Sequence, residues 1–344
     1  MNTPIISVEN LSLQFTLRGE ILHALRDISL DIYEGESLAI VGESGSGKSV
    51  LCKALLGLSD SNARIAGGRI LFGGTDLAAL TEEKDWLSIR GKKIAIVMQD
   101  PMTSLNPLMT VGDQIAEAVR LHRNIPADQI RQEVLEALSD VGISDPQRRY
   151  SQYPHEFSGG MRQRVVIAMA VACRPQILIC DEPTTALDVT IQSYILSLIK
   201  QMQKKYNLTA IYITHDMGVV ANVADRVAIM YAGDIVETGT AEEIFYDPRH
   251  PYTWALLSSM PQFGTKGQEL YSIAGTPPDL TKPIAGDAFA PRNPSALKID
   301  FVKRPPYFSV SPTHKAKTWL LDKRAPHISP PQAIENLGRE RTYD

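Results

Sequence analysis

Residues 42–49 read Gly-Glu-Ser-Gly-Ser-Gly-Lys-Ser, between an apolar strand at Leu38–Val41 and a helical stretch at Lys48–Leu56. The spacing G-x-x-x-x-G-K-[ST] lets the backbone curl until successive N–H groups face one point. The helix that follows turns its positive N-terminal end to the same point. Such a cradle suits the phosphates of a nucleotide. Gly42, Ser44, Gly45 and Gly47 shape it, Lys48 reaches the β- and γ-phosphates, and the Ser49 hydroxyl is suited to Mg2+. A glycine-rich turn alone would need neither the strand before it nor the helix after it.

The rest of the chain alternates strand and helix. Ile5–Val8, Ser12–Leu17 and Ile28–Ile32 alternate apolar with polar residues, as antiparallel strands do. Ile94–Met98, Thr209–Thr214, Arg226–Tyr231 and Ile235–Thr238 are further strands, and Ile177–Cys180, apolar at every residue, suits a central parallel strand. Helices are expected at 111–123, 127–141, 158–172 and 189–205. This pattern predicts an α/β fold with an antiparallel β part near the start and a helical insert at about 105–170.

Proline marks a boundary: residues 1–250 hold 9 of the 22 prolines and 251–344 hold 13. The first 250 residues carry a net charge of −8 and the remainder +4. We therefore expect a compact acidic domain over 1–250 and a proline-rich basic extension over 251–344. The overall charge of −4 argues against nucleic-acid binding through bulk charge. The longest apolar run, Val165–Cys173, is nine residues, too short to cross a bilayer. Glu9 interrupts the apolar N-terminal stretch, which has no basic segment before it, so no secretory signal is expected. Cys52, Cys173 and Cys180 are too few for a disulfide scaffold and read as small core residues in a reducing compartment.

Four more sites bear on phosphate chemistry. Asp181 and Glu182 end the apolar Ile177–Cys180 strand; Asp181 is suited to holding Mg2+ through water and Glu182 to polarising an attacking water. Gln99 ends the Ile94–Met98 strand, where an amide can ligate Mg2+ and sense the γ-phosphate. His215, 34 residues past Asp181, follows a third strand and suits a γ-phosphate contact. Ser158-Gly-Gly160 opens a helix and offers N–H groups to an anion. It lies 110 residues beyond Lys48, so a second subunit can supply it to a bound nucleotide.

In this order the motifs over residues 5–250 resemble the ATP-binding cassette (ABC) ATPases. Gly42–Ser49 looks like the Walker A loop, Gln99 the Q-loop, Ser158–Gln163 the signature, Ile177–Glu182 Walker B, Ala186-Leu187-Asp188 the D-loop and His215 the switch histidine. The resemblance implies a P-loop ABC ATPase: a RecA-like core, an antiparallel β subdomain, a helical subdomain and a C-terminal extension. It implies ATP and Mg2+ as ligands, with Ser49, Gln99 and Asp181 on the metal. It also implies ATP contacts from Phe15 on adenine and from Ser158, Gly159, Gly160, Gln163 and Asp188. Glu182 becomes the general base, with Gln99 and His215 beside it. Two such domains would close head to tail on ATP and open after hydrolysis.

The stretches Val97–Pro107, His250–Pro261 and Gly286–Arg292 are similar to the oligopeptide/dipeptide importer ATPases of this family. That resemblance implies peptide import, a different second ABC ATPase, two transmembrane permease subunits and an extracellular peptide-binding protein. It implies a peripheral place on the cytoplasmic face of the cell membrane, and no nucleic acid. Asp100, Met102, Leu105 and Leu108 would meet the permease. An importer for another solute, such as nickel or dipeptides, is the alternative. A DNA-repair ATPase is disfavoured because no heptad run or CxxC interrupts the domain.

Many relatives carry four cysteines in the extension, spaced for an iron–sulfur cluster. Here the matching positions are Asp287, Asn293, Asp300 and Thr318, and no cysteine follows Cys180. Such a cluster needs thiolates, so none is expected. Instead the tail should fold through contacts such as Phe289, Phe308 and Trp319. Anaerobically purified protein should then show no absorbance near ~400 nm and no stoichiometric iron; about four irons and four sulfides per chain would be the contrary result.

Overall fold

The computed structural model describes residues 3–185, 188–260, 273–332 and 334–335. Ala186, Leu187 and Pro261 lie outside the described residues. The chain divides into two compact units, one of Met1–Ile32, Leu38–Ala79 and Thr214–Asp344, the other of Tyr33–Ser37 and Leu80–Ile213.

The first unit holds an antiparallel sheet in the order Glu20–Tyr33, Pro4–Leu17, Ala63–Phe72, Thr75–Asp76. The two expected strands Ile5–Val8 and Ser12–Leu17 are one, Pro4–Leu17, which pairs antiparallel with Ala63–Phe72 from Ile6↔Phe72 to Phe15↔Ala63. The inward residues Ile6 and Val8 are followed by Leu11 and Leu13, so the period-two pattern slips by one residue. A register shift between Glu9 and Ser12, with Asn10 at φ 50°, absorbs that slip. A bulge thus keeps both halves of a single strand facing inward.

The same unit contains the strand row Phe308–Ser309, Lys315–Ala316, Asp234–Thr240, Arg226–Tyr231, Ser37–Val41. Ser37–Val41 is buried throughout and runs parallel to Arg226–Tyr231, with Leu38↔Arg226 through Val41↔Ile229. The extension adds its own strands to this row: Lys315 and Ala316 pair with Thr238 and Glu237. Phe289 and Trp319 are buried as expected, and Phe308, half-buried, meets Trp319 edge to face at 6.0 Å. The side chains of Asp287, Asn293, Asp300 and Thr318 each close a local turn, accepting from the N–H of Phe289, Ser295, Leu297 and Leu320 respectively.

Two buried carboxylates tie the extension down. Asp234 holds Lys317 at 2.6 Å and Arg304 at 2.6 Å. Glu237, with no exposed surface, accepts from the backbone N–H of Arg249 and His250 and from the Thr253 hydroxyl, and lies 2.7 Å from His314 Nε2.

In the second unit three parallel strands run in the order Thr209–Thr214, Ile177–Asp181, Ile94–Val97. Ile177–Asp181 is the middle one, as its unbroken apolar run predicted. Helices Val111–His122, Ala127–Asp140, Gly159–Ala172 and Val189–Tyr206 accompany them. Three of these begin on side-chain caps, Thr110, Ser158 and Asp188, each accepting a first-turn N–H. The three cysteines are buried, as small core residues are; burial pushes the Cys173 thiol up to about 11 and raises that of Cys180, which disfavours the thiolate. Among the described residues no helix is long and apolar enough to cross a membrane.

Glu237→Ala strands its buried donors together. We expect it to cost about 3 kcal/mol or more, measured by urea unfolding, because breaking a buried charged network leaves desolvated partners behind.

Candidate functional site

The loop of the first unit is shaped by contact with its floor. A Cβ on Gly42 would stand 2.0 Å from the Met230 carbonyl oxygen, and one on Gly47 2.9 Å from that of Ala24, so neither position admits a side chain. Gly45 and Gly47 have φ of 80° and 102°, which glycine adopts without strain. The Ser46 carbonyl accepts from the Gly233 N–H at 2.9 Å, which pins the loop to the turn after Arg226–Tyr231. Helix Lys48–Leu55 then begins with Gly47 as its N-cap, so its first-turn N–H groups open onto the loop. Lys48 is buried, and its Nζ donates to the carbonyls of Gly42 (2.7 Å) and Glu43 (2.8 Å). Ser44, Gly45 and Ser49 are exposed, while the buried Ser46 hydroxyl has no hydrogen-bond partner. A helix N-terminus, an ammonium and an unsatisfied hydroxyl together fit a polyphosphate.

Residue 43 is gripped on three sides. Its N–H donates to the Tyr252 hydroxyl at 2.8 Å, its carbonyl accepts from Lys48, and its carboxylate receives two bonds from Arg292, at 2.7 and 3.1 Å. Sequence reasoning missed this arrangement. Arg292 stood in a stretch singled out only for its resemblance, and nothing local linked it to position 43. Also in this unit, Phe15 is half-buried on Pro4–Leu17, and His215 is exposed at the end of Thr209–Thr214.

In the second unit the acid pair closes the middle strand. Asp181 is its last residue, and Glu182 turns out of it at φ 46°, in the left-handed region. A non-glycine residue held there is strained by about 1 kcal/mol or more, and such strain gathers at functional sites. The Glu182 N–H is fixed to the Ile213 carbonyl at 2.9 Å. Gln99 Nε2 and Thr185 Oγ1 both donate to Glu182 Oε2, at 3.0 and 2.9 Å. The structure thus brings Gln99 and Glu182 together, and adds Thr185, which carried no sequence signal.

Ser158 caps the Gly159–Ala172 helix through the Met161 N–H, and Gly159 is exposed with open space around it. Gly160 is buried, and a Cβ there would stand 3.0 Å from Ile191. Asp188 is exposed and caps Val189–Tyr206. Gln163 is 1% exposed and its amide donates to the Pro183 carbonyl at 2.9 Å, which braces the turn after the acid pair. Leu105 is buried, whereas Met102, Leu108 and Asp100, which caps the short Pro101–Ser104 helix, are exposed.

Residues 25–185 match the family model of the ABC transporter, and residues 236–299 match that of the oligopeptide/dipeptide transporter C-terminal region. The chain is 55% identical over 333 residues to the oligopeptide transport ATP-binding protein AmiE of Streptococcus pneumoniae, covering 97% of this chain and 94% of the relative. It is 55% identical to the oligopeptide transport ATP-binding protein OppD of Bacillus subtilis, covering 98% and 95%. It is 53% identical to the dipeptide transport ATP-binding protein DppD of Lactococcus lactis, covering 99% and 97%. Among solved structures, the dimeric post-hydrolysis ATP-binding cassette MJ0796, bound to ADP and Pi, aligns with a TM-score of 0.61 and 28% identity over 69% of this chain and 98% of that one. The cbiO1 structure from Clostridium perfringens aligns with a TM-score of 0.62 and 32% identity over 71% and 91%.

The loop geometry ranks two glycine substitutions. Gly45→Ala meets no atom and should lose only the left-handed preference, about 1–2 kcal/mol in thermal unfolding. Gly42→Ala forces the backbone off the Met230 carbonyl, so it should lose more stability and nucleotide binding with it; equal losses in the two variants would contradict this floor.

Proposed function

The chain belongs to the ABC transporter family, and from that premise we propose that it energises the import of oligopeptides across the cytoplasmic membrane by binding and hydrolysing ATP. It is an ATPase with the α/β cassette fold of its family. The observation that carries the peptide reading is full-length similarity: the relatives named for oligopeptide transport match at 55% identity over 97% and 98% of this chain, extension included. A dipeptide importer is the second reading, favoured by the Lactococcus relative. We read residues 1–250 as the nucleotide-binding domain and 251–344 as its extension; the separate family matches at 25–185 and 236–299 support a chain of two parts, the second match beginning before the boundary.

In this proposal the loop N–H groups and Lys48 bind the phosphates of ATP, and Phe15 stacks on adenine. Glu182 takes a proton from the attacking water while Gln99 and Thr185 orient its carboxylate. His215 contacts the γ-phosphate. The Ser49 hydroxyl, the Gln99 amide oxygen and the Asp181 carboxylate are hard oxygen donors that fit Mg2+. Among the described residues no group of three or more His, Cys, Asp or Glu could hold a metal ion. Mg2+, when bound there, neutralises charge on the β- and γ-phosphates.

Ser158, Gly159, Gly160 and Asp188 serve the ATP of a second, different ABC ATPase, which binds head to tail; Gln163 supports them from behind. Two transmembrane permeases and an extracellular peptide-binding protein complete the complex, holding this chain at the cytoplasmic face. Met98, Met102 and Leu108, exposed at 42%, 59% and 85%, are apolar surface suited to a permease.

Glu182→Gln should keep ATP affinity and lose most turnover, whereas Lys48→Ala should lose binding as well. Nucleotide binding and phosphate release, measured in the assembled complex, test both; undiminished turnover in Glu182→Gln removes that residue from the role. The isolated chain should be mainly monomeric and slow in analytical ultracentrifugation and phosphate release with ATP. A fast, stable homodimer would oppose the heterodimer.

A further inference from the structure

The phosphate loop is held from outside by the extension. All five N–H donors of Arg292 are engaged: Nη1 with Glu43 Oε2 (2.7 Å) and the Tyr231 hydroxyl (3.2 Å), Nη2 with Glu43 Oε1 (3.1 Å) and the Ile273 carbonyl (3.3 Å), and Nε with the Ala274 carbonyl (2.9 Å). The Arg292 side chain is 5% exposed and that of Glu43 25%. Phe289, three residues before Arg292, packs against Tyr231 and Tyr252, each at 5.3 Å, and those two rings meet at 4.5 Å. Tyr252 in turn accepts the Glu43 N–H, and the Glu43 carbonyl faces the Lys48 ammonium.

Glu43 is thus a carboxylate within the loop that must accept a polyphosphate. Unpaired, it would repel the incoming anion at short range through partly desolvated surroundings. The bidentate guanidinium cancels that charge and also fixes where residue 43 sits. Through residue 43 it fixes the carbonyls that Lys48 leans on.

We propose that Arg292 is a positioning residue for nucleotide binding: by neutralising and holding Glu43, the extension sets the affinity of the loop for ATP. The inference rests on the reading of Gly42–Ser49 as the ATP site. A plain anchoring role for the same ion pair makes a different prediction, a loss of stability with unchanged affinity.

The test is equilibrium binding of a fluorescent ATP analogue with Mg2+ to the purified full chain, with a melting temperature for each variant. Arg292→Ala should raise Kd about tenfold, the scale of a lost charge-assisted pair. Removing the exposed charge should rescue it: Arg292→Ala with Glu43→Gln should return to within about threefold of wild type, although the two variants share the same lost anchor. Arg292→Lys keeps the charge without the fork and should fall between. In turnover, Arg292→Ala should raise KM for ATP with kcat nearly held. An unchanged Kd in Arg292→Ala, or a double variant that binds no better than the single one, overturns the proposal. If Arg292→Ala does not fold, Arg292→Lys carries the same test, and wild-type affinity there overturns it. Lys48→Ala separates the two levels: if it binds the analogue as wild type does, the loop reading itself fails. If it loses binding while Arg292→Ala binds normally, only this inference fails.

Discussion

One close approach organises the first unit: the backbone at Gly42 touches the Met230 carbonyl, where a Cβ would stand 2.0 Å away. Because the two strands run in parallel, Val41 beside Ile229, the loop must leave its strand directly over the end of its neighbour. The Ser46 carbonyl then binds Gly233 in the turn that follows, a turn in which Ala232 and Gly233 both have positive φ. That turn sends Asp234–Thr240 back antiparallel, and this strand carries the two carboxylates on which the extension docks. The phosphate loop and the docking of the tail therefore share one piece of backbone geometry.

Buried charge fixes that docking in place. Asp234 and Glu237 are desolvated, and each is matched by cations or N–H donors from the extension and its approach. Burial lowers the Lys317 ammonium below its usual range, against the pull of Asp234. For Arg304 burial acts downward too, but Asp234 and Asp27 outweigh it and raise the guanidinium. Buried pairs of this kind are weak sources of net stability, because desolvation offsets much of the attraction. Their effect is to select one register, since any slip of Lys315–Ala316 along Thr238 and Glu237 would leave a buried charge alone.

In the second unit the constraint is a strained residue instead of a close contact. Glu182 is held at φ 46° by its N–H bond to Ile213, with Gln99 and Thr185 on its carboxylate. Gln163 closes the back of this turn through Pro183. The geometry points the acid away from its strand and makes its orientation depend on three other segments.

Local pattern determined a good deal. The G-x-x-x-x-G-K-S spacing, the unbroken apolar run before Asp181 and the Ser158-Gly-Gly160 helix start made the loop, the middle strand and one helix start legible, because each depends on neighbours within a few residues. Alternation also located Pro4–Leu17, but it read a bulge as a break, since a period slip looks the same as a turn until a partner strand is present. What the sequence could not decide is everything carried by long separations. Glu43 and Arg292 are charged residues with no distinguishing local pattern, and Leu105 and Gln163 are more buried than their chain neighbours because of what packs over them. Tertiary structure alone decided these, because the energy of a buried charge or amide is set by the partners that desolvate and satisfy it, and those come from elsewhere in the chain.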